Sequence, residues 1–347
     1  MKKQITSILE RLHPVRVGLA VLTLSGLVGI SWYLAEPQAQ TVAAENVLPA
    51  RPPAGVTSSM QNPLQIALLH WYNANTTTQF TVANGAEGVA FDGQSVWVTN
   101  NGSNSVTKLR VSDGTNLGTF TVGTNPIGVL FDGANVWVAN INGGNVTKLN
   151  GSTGANLGAF TVGTQPNALA FDGTNIWVAN GGSNNVTELK ASTGATVGTF
   201  TAGTFPAGVA FDGTNIWVSN NLSANVTKFS PTGAVLGTFA VGTNPTGIAF
   251  DGTNMWVANF GSNNVTKLSL TGTTLGTFAA GSGPDEIVYD GANLWVTDFN
   301  GNTVTKLKAT TGATLGTFSV GREPAGIAFD GATFWVCNFG GTTVSKL

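Results

Sequence analysis

Short apolar runs rich in β-branched and aromatic residues, separated by turn-forming residues, recur along most of the chain. In one stretch the runs cover residues 167–171, 176–180, 186–189 and 197–202. Between the first two stands Asp172-Gly173-Thr174-Asn175, a turn in which Asp can bond its own backbone while Gly takes a positive φ. The pattern predicts four short antiparallel strands, called a, b, c and d in chain order.

This four-strand pattern repeats seven times, at spacings of 39 or 40 residues. Each unit carries a Phe-Asp-Gly or Tyr-Asp-Gly triplet, beginning at Phe91, Phe131, Phe171, Phe211, Phe250, Tyr289 and Phe329. A tryptophan stands six residues after each of these aromatic residues: Trp97, Trp137, Trp177, Trp217, Trp256, Trp295 and Trp335. Four strands in about 40 residues are typical of one blade of a β-propeller, so we predict an all-β, seven-bladed propeller with four antiparallel strands per blade.

The two ends of the repeat region complement each other. A fourth-strand sequence around Phe80 precedes the first unit, whereas the last unit stops after a third strand that reaches Leu347. We therefore expect the segment near Phe80 to supply the outer strand of the last blade, which closes the ring without an exposed sheet edge. The predicted propeller covers residues 79–347.

The first 44 residues predict an export signal. Residues 1–16 carry four Lys or Arg and one Glu, and residues 17–35 carry no charge. The apolar run exceeds the core of a typical signal peptide and just suffices to span a bilayer, so cleavage and retention as a membrane tether through residues 17–35 both stay open. In either case we expect the rest to be periplasmic, at the cell surface or secreted. Residues 45–78 read as a Pro/Ala-rich linker with a short helix near 63–72.

The composition excludes several classes of function and of site. Only 9% of the residues are charged and the formal net charge is −2, which argues against a nucleic-acid binder. The single cysteine, Cys337, forbids an internal disulfide and a cysteine-based zinc cluster, and it fills a slot for a small buried residue. No Gly-rich phosphate loop lies between a strand and a helix.

The stretch from Gly242 to Asn259, with Asn264-Val265-Thr266-Lys267-Leu268 after it, resembles the YVTN-type (surface-layer-like) β-propeller repeat family, with Trp-Val-Ala-Asn in place of Tyr-Val-Thr-Asn. This resemblance covers 79–347 and implies an exported binding or structural module. The Asp-Gly…Trp pattern is also similar to the streptogramin B lyases, including virginiamycin B lyase, which are seven-bladed propellers with a histidine general base and a magnesium-binding glutamate. Here His13 and His70 both precede the repeats, so the predicted ring contains no histidine.

Comparison of the seven units locates their variation. The a–b turn barely changes, whereas the d–a and b–c connections, which share one face of a propeller, differ most. This pattern is consistent with a binding face around the channel mouth or with relaxed drift in exposed loops. Unit six stands out on this face, because counting outward from its turn places Asp285 opposite Asp298, with Glu286 beside Asp285. Two facing carboxylates repel, so we expect compensation by a proton, by Arg322, or by a hard cation such as Ca²⁺ or Mg²⁺ held by Asp285, Glu286 and Asp298. The alternative is that solvent simply screens the two charges.

Other residues of the same face complete the candidate site. Phe260, Phe299 and Phe339 open the b–c loops of units five to seven and either form an aromatic rim for a ligand or cover the blade tops. Glu323 adds a charge in the last d–a connection. The Asp-Gly aspartates are interpreted as turn formers, and the strand-c lysines as a solubilising belt: Lys108, Lys148, Lys228, Lys267, Lys306 and Lys346.

These observations favour a monomeric, exported, non-enzymatic propeller that binds a protein, peptide or glycan on its variable face and requires no cofactor. The alternative is a metal-assisted lyase or hydrolase that works through Asp285, Glu286 and Asp298.

Overall fold

The computed structural model describes residues 77–347; the predicted leader, linker and short helix lie outside the described residues. The described chain forms seven four-stranded antiparallel sheets, each built from consecutive strands except the last. The sheets form a seven-bladed β-propeller, as the repeat predicts. No helix in this part of the chain has the length and apolar character needed to cross a membrane.

The strands follow the repeat closely. The inner a strands are β2 (Ala86–Phe91), β6 (Pro126–Phe131), β10 (Pro166–Phe171), β14 (Pro206–Phe211), β18 (Pro245–Phe250), β22 (Pro284–Tyr289) and β26 (Pro324–Phe329). The b strands are β3 (Ser95–Asn100), β7 (Asn135–Asn140), β11 (Asn175–Asn180), β15 (Ile216–Asn220), β19 (Asn254–Asn259), β23 (Asn293–Asp298) and β27 (Phe334–Asn338). The c strands are β4 (Ser105–Arg110), β8 (Asn145–Asn150), β12 (Asn185–Lys190), β16 (Asn225–Phe229), β20 (Asn264–Ser269), β24 (Thr303–Lys308) and β28 (Thr343–Lys346). The outer d strands are β5 (Asn116–Thr121), β9 (Asn156–Thr161), β13 (Thr196–Thr201), β17 (Val235–Ala240), β21 (Thr274–Ala279), β25 (Thr314–Ser319) and, from the N-terminal side, β1 (Thr78–Thr81). One 3₁₀ turn, Asn101–Ser103, follows β3.

The last blade draws its outer strand from the beginning of the described region. β1 pairs with β28 in antiparallel register, with Phe80 opposite Val344. The ring of Phe80 stacks on Trp335, with their centroids 5.3 Å apart. Since β1 leads directly into the first blade, this pairing joins the first and last blades and covers the edge of β28.

The core lies between neighbouring blades. Six of the repeat tryptophans are fully buried and Trp295 is 7% exposed. Each packs against a phenylalanine of the outer strand of its own blade, as Trp217 does against Phe239 at 5.6 Å between ring centroids. Because both faces of each sheet meet a neighbour, the b strands are buried along almost their whole length.

The repeat aspartates form the predicted turns and also bind the tryptophans. In the first blade, Asp92 Oδ1 accepts bonds from the amides of Gln94 and Ser95, while Oδ2 accepts one from Trp97 Nε1 at 2.8 Å. The same indole bond occurs in the other six blades. Burial acts to raise the pKa of Asp92, but hydrogen bonds from Trp97, the two amides and Lys108 outweigh it and hold that pKa below its usual value.

The interpretation of the strand-c lysines as a solubilising belt is wrong. Lys228 Nζ lies 4.8 Å from the centroid of the Trp217 ring and donates to the carbonyl of Leu270 in the next blade at 2.7 Å. Lys108, Lys148, Lys267 and Lys346 make the same pair of contacts. These side chains therefore connect neighbouring blades, since the apolar stem crosses the indole and the ammonium caps a turn.

Candidate functional site

A central channel opens on the face where the variable connections lie. Hydrogen bonds such as Phe299 N to Gly283 O, at 2.8 Å, join the start of each b–c loop to the preceding d–a turn. The inner strands below these turns line a cavity of about 370 Å³. Residue by residue from the mouth, the inner strands carry one set of variable residues, then a set of mostly glycine, then aliphatic residues whose side chains pack into the core between blades.

The outermost set follows the Pro position of each blade and holds Glu87, Ile127, Asn167, Ala207, Thr246, Asp285 and Ala325. The next set is Gly88, Gly128, Ala168, Gly208, Gly247, Glu286 and Gly326. Small residues are required here because neighbouring inner strands approach closely: a Cβ at Gly247 would lie 2.6 Å from the carbonyl oxygen of Asp285. Glu286 is the one large residue of this set in the described chain.

Three carboxyl groups therefore line one channel: Glu87 from the first blade, and Asp285 and Glu286 from the sixth. Their side chains are half-buried, because the channel admits water while protein encloses it on all sides. Glu286 Oε1 accepts a hydrogen bond from the amide of Ile287 at 3.2 Å. Oε2 of Glu87 is inaccessible and has no hydrogen-bond partner in the described chain.

Enclosure and mutual repulsion favour the neutral forms of these groups. Burial raises the pKa of Glu87 to about 8, the negative charge of Asp285 adds to the effect, and the polar side chain of the nearby Asn101 opposes it. Burial, together with the charge of Asp285, raises the pKa of Glu286 to about 7, against the bond from the Ile287 amide. Burial alone raises the pKa of Asp285 to about 6.

The predicted pairing of Asp285 with Asp298 is wrong. Tyr289 does lie opposite Leu294, as expected, but the ladder then shifts at a β-bulge between Pro284 and Ile287, and Asp298 lies opposite Pro284. The same shift follows the first residue of the inner strand in all seven blades, including those with alanine in the slot of Thr297, so it belongs to the repeat. In the sixth blade the hydroxyl of Thr297 accepts the amide hydrogen of Glu286 at 2.9 Å and donates to the carbonyl of Ala325 in the next blade at 2.7 Å.

Asp298 has a different environment from Asp285 and Glu286. It is fully buried, its Oδ1 accepts the amide of Gly281 at 2.9 Å, and its Oδ2 accepts the hydroxyls of Thr303 and Thr305 at 2.9 and 2.7 Å. Burial outweighs these bonds and raises its pKa. The other six blades hold an asparagine in this slot, as Asn259 does in the fifth. Within residues 77–347, no three Asp, Glu, His or Cys side chains converge as a metal site would require.

The three phenylalanines of the predicted rim do lie in one row. Phe299 packs between Phe260 and Phe339, with 6.1 Å between ring centroids on each side. All three rings are half-buried beside the channel mouth and do not line the cavity itself. The aromatic ring that lines the cavity is Phe205, on the opposite blades, where it takes a positive φ of 56°.

Glu323 lies on the rim. Its carboxylate pairs with Arg322 at 3.2 Å; the Arg322 side chain is 73% exposed and that of Glu323 is 36% exposed. Its own backbone takes a positive φ of 52°, and its carbonyl accepts the amide of Phe339 at 3.0 Å. Arg322 therefore neutralises Glu323 and does not enter the channel lining.

Sequence reasoning missed Glu87 as a site residue. It occupies the position after the Pro slot that Asp285 occupies in the sixth unit, and these are the two acidic residues of that set. The inner strands of a propeller line its channel. An acidic residue at the same inner-strand position in two units could therefore have indicated that Glu87 and Asp285 both line it.

A larger cavity of about 720 Å³ lies between the sixth and seventh blades, lined by Trp295, Phe318, Phe334 and Lys306 among others. Its one carboxylate, Asp290, already accepts bonds from Trp295 Nε1 and from the amides of Ala292 and Asn293. Lys306 Nζ lies 4.6 Å from the centroid of the Trp295 ring and has no hydrogen-bond acceptor among the described residues. We regard the smaller channel as the candidate site because Asp285 and Glu286, which the sequence predicts as site residues, line it.

Comparison with known proteins supports the fold. No model of a known protein family matches the chain, and no curated protein matches it. Among solved structures, a streptogramin B lyase superposes with a TM-score of 0.68 at 19% identity, covering 78% of this chain and 96% of the lyase. Virginiamycin B lyase from Staphylococcus aureus gives 0.68 at 18%, covering 78% and 98%. Kuenenia stuttgartiensis hydrazine synthase gives 0.68 at 17%, covering 77% and 96%. At these identities the similarity concerns the fold alone.

Proposed function

We propose that this chain is an exported, non-enzymatic binding module that takes up a ligand or partner at the mouth of its central channel. The observation that carries the proposal is the contrast between the two faces. The a–b turns are nearly uniform and their aspartates are all bound to tryptophans, whereas the variable face holds Glu87, Asp285 and Glu286 in a channel with a row of phenylalanines beside it.

Three features support binding there. The cavity has the size of small-molecule sites, which run from about 300 to 1,000 Å³. Its wall carries carboxyl, amide and hydroxyl side chains beside apolar surface, and such polar groups fix the orientation of a bound ligand. Loops on a rigid scaffold are also where proteins most often place recognition residues.

The proposal is tested by isolating the full-length protein under mild conditions and examining it by native mass spectrometry. We expect a discrete bound mass on the wild type that is lost from the Glu87→Gln, Asp285→Asn double variant. The matched control is Asp113→Asn, which removes an exposed carboxylate paired with Arg110 far from the channel mouth. A wild type without bound mass, or equal retention by the double variant, would contradict the proposal.

Export is tested separately by cell fractionation with an antibody against the propeller. The basic, then uncharged, first 35 residues support an exported location, with the propeller outside the cytoplasm. Full-length protein confined to the cytoplasmic fraction would contradict this part and leave ligand binding untouched.

A lyase or hydrolase activity is the second candidate, and one observation favours it. Burial raises the pKa of Asp285 to about 6 and that of Glu286 to about 7, where a carboxylate works well as a general base near neutral pH. Turnover of a panel of cyclic depsipeptides and lactones, lost in Asp285→Asn, would establish it. No turnover by the wild type leaves the binding module as the remaining proposal.

A further inference from the structure

The junction between the sixth and seventh blades differs from the other six junctions of the ring. At each of those six, the glycine of a c–d turn lies against the outer-strand phenylalanine of the preceding blade. A Cβ placed on Gly114, for example, would lie 2.5 Å from Cγ of Phe80. The other pairs are Gly154 with Phe120, Gly194 with Phe160, Gly233 with Phe200, Gly272 with Phe239 and Gly312 with Phe278. The turn of each blade therefore covers an aromatic ring of its neighbour.

Phe318, the outer-strand phenylalanine of the sixth blade, has no such cover in the described chain. The seventh blade takes its outer strand from β1, so no c–d turn joins β28 to that strand. Phe318 is accordingly 36% exposed, more than any of its six counterparts. Its ring packs on Trp295, the one repeat tryptophan that is not fully buried, at 5.1 Å between centroids. Both rings line the cavity of about 720 Å³ between the two blades, together with Phe334.

The same junction leaves a lysine without its usual acceptor. Five strand-c lysines donate to a carbonyl in the c–d turn of the next blade, as Lys267 Nζ does to Ala309 O at 2.7 Å. Lys306 holds its ammonium group over Trp295 in the same way but has no acceptor among the described residues. The cavity therefore lacks both contacts that a c–d turn makes at the other junctions, namely a cover on the phenylalanine and a carbonyl for the lysine.

The described part of the chain begins at this cavity. Thr77 lines it, and Thr77 Oγ1 donates to the carbonyl of Ser319 on β25 at 3.1 Å. In the other six blades the residues directly before the outer strand are those of the c–d turn. The residues that precede β1 thus hold the corresponding place in the repeat, and the chain leads from them into the cavity.

The sequence before β1 suits this place. A turn glycine stands six residues before the phenylalanine of its own outer strand, and the carbonyl that accepts from a lysine belongs to a residue nine positions before it, or eight in the fifth blade. Counted back from Phe80, these places fall on Ala74 and Trp71. Ala74 is small and stands between Asn73 and Asn75, which are turn-forming residues. Trp71 brings a side chain that buries about 150–250 Å² to a cavity lined by aromatic rings.

We propose that residues 71–76 of this chain dock in the cavity between the sixth and seventh blades in place of a c–d turn, with Trp71 against the aromatic lining and its carbonyl accepting from Lys306. The segment is not joined to β28, so it can lie slightly farther out than a turn glycine does, which makes room for the Cβ of Ala74 above Phe318. It can also leave the cavity while the blades stay closed, so Phe318 contributes less to global stability than Phe80 does. The inference goes beyond binding at the channel and does not depend on it.

Disulfide trapping tests the position of the segment in the purified full-length protein. In the pair of Gly114 and Phe80 the two Cβ positions are at most about 4 Å apart, since a C–C bond of about 1.5 Å adds to the 2.5 Å between Cβ and Cγ. This separation suits a disulfide, whose Cβ atoms lie about 3.5–4.5 Å apart. We therefore expect the Ala74→Cys, Phe318→Cys variant to form an intramolecular disulfide on mild oxidation. Its yield should be at least tenfold higher than in Ala74→Cys, Leu275→Cys, whose second site is exposed on β21 of the fifth blade. Mass spectrometry of a non-reduced digest identifies the linked peptides.

Thiol labelling tests the cover on Phe318 and the role of Trp71. The thiol of the Phe318→Cys single variant should react with a maleimide at least tenfold more slowly than that of Leu315→Cys, a site on the same strand that is 52% exposed. Addition of Trp71→Ala should raise the rate of Phe318→Cys at least tenfold, whereas addition of Leu222→Ala, at an exposed residue of the fourth blade, should leave it unchanged. The native Cys337 is buried and should not react. Thermal melting establishes that each variant is folded before rates or yields are compared.

Three results would contradict the proposal in different ways. A Phe318→Cys thiol that reacts as fast as that of Leu315→Cys, or a folded double variant that forms no disulfide, would overturn it and leave the cavity open to an external ligand. A disulfide formed chiefly between two chains in dilute solution would overturn it in favour of a second copy of the chain as the occupant. Shielding of Phe318→Cys that Trp71→Ala does not reduce would overturn the place assigned to Trp71. Binding at the channel, measured by the retained mass, is unaffected by each of these results.

Discussion

The indole Nε1 of Trp217 donates a hydrogen bond of 2.7 Å to Oδ2 of Asp212, and both side chains are buried. The other oxygen of Asp212 accepts the amides of Thr214 and Asn215, so one carboxylate fixes the a–b turn and orients the largest core residue of the blade. This relationship occurs in all seven blades and explains why Asp and Trp recur five residues apart.

Substitution of Trp217 by Phe should measure what the indole hydrogen bond contributes to the free energy of unfolding, apart from the contribution of the buried ring. Phe keeps most of the apolar surface but leaves Oδ2 of Asp212 buried without its donor, which costs about 1–3 kcal/mol in the free energy of unfolding. Trp217→Ala removes the packing too and should cost about 3–5 kcal/mol. Urea unfolding of Trp217→Phe, Asp212→Asn and the double variant measures their coupling; strictly additive losses would contradict the assigned bond.

Substitution of Lys228 by Met should destabilise the protein although lysine is usually a surface residue. Met keeps most of the stem over Trp217 but loses the ammonium, its contact with the ring at 4.8 Å and its bond to Leu270 O. We expect a loss of about 1–3 kcal/mol in the free energy of unfolding. The matched control is Lys190→Met on the exposed end of β12, which should change stability by no more than about 0.5 kcal/mol. Equal effects of the two substitutions would restore the interpretation of a solubilising belt.

The repeat spacing was sufficient to predict the blades and their strands. It also places Phe260, Phe299 and Phe339 correctly as neighbours, because equivalent positions 39 or 40 residues apart lie at the same corner of adjacent blades. Contacts between blades were harder to predict. Lys228 and Leu270 are 42 residues apart, and a polar residue in an alternating strand looks the same whether it faces water or an indole ring.

The pairing of residues between β22 and β23 near the channel could not be predicted by counting residues outward from the turn. Strand alternation predicts pairs correctly out to Ile287, and then a bulge shifts the ladder, as it does near the start of the inner strand in all seven blades. The alternation of side chains along the strands gives no sign of this bulge in the sequence. As a result Asp298, expected in the site, lies in a structural slot, while Glu87 on the first blade lines the channel with Asp285.

Removal of the Phe80 ring should weaken the closure of the propeller. Phe80 stacks on Trp335 and covers Gly114 in the turn of the first blade, so it contacts both blades that meet at the closure. Phe80→Ala should lower the free energy of unfolding by about 3–5 kcal/mol. Phe318 has the equivalent position on β25 but is 36% exposed, so Phe318→Ala should cost clearly less. Chemical unfolding followed by tryptophan fluorescence compares the two, and an equal loss would contradict the role of Phe80.

The channel carboxylates should make the folded protein less stable as the pH rises. The pKa of Glu87 increases from 4.5 to about 8 on folding, so the folded state binds this proton more tightly than the unfolded chain. The resulting stability is complete below about pH 4.5 and is lost as the pH rises through about 8. Glu87→Gln cannot ionise and should be more stable than the wild type at pH 9, by about 1–3 kcal/mol after allowance for water in the channel.

Melting temperatures of the wild type and of Glu87→Gln between pH 5 and pH 9 test this expectation. The two curves should converge at the acid end and separate toward pH 9. Glu323→Gln serves as the control, since its carboxylate lies on the rim in an ion pair open to solvent, and it should follow the wild type throughout. Parallel curves for Glu87→Gln and the wild type would show that Glu87 ionises as freely as an exposed residue.

Asp298→Asn should show that Asp298 has a structural role and takes no part in binding at the channel. Six other blades hold asparagine in this slot, where its amide nitrogen donates to two side-chain oxygens of strand c, as Asn259 does to Asn264 and Thr266 at 2.9 Å each. Thr303 and Thr305 can reverse their hydroxyl hydrogens to accept, and the Gly281 amide keeps its acceptor, so no bond is lost. Because burial raises the pKa of Asp298, the amide also removes a buried ionisable group, and stability at pH 8 should be equal or higher. The bound mass expected on the wild type should be retained by Asp298→Asn, whereas the Glu87→Gln, Asp285→Asn double variant should lose it. A loss of bound mass in Asp298→Asn comparable to that in the double variant would return Asp298 to the site.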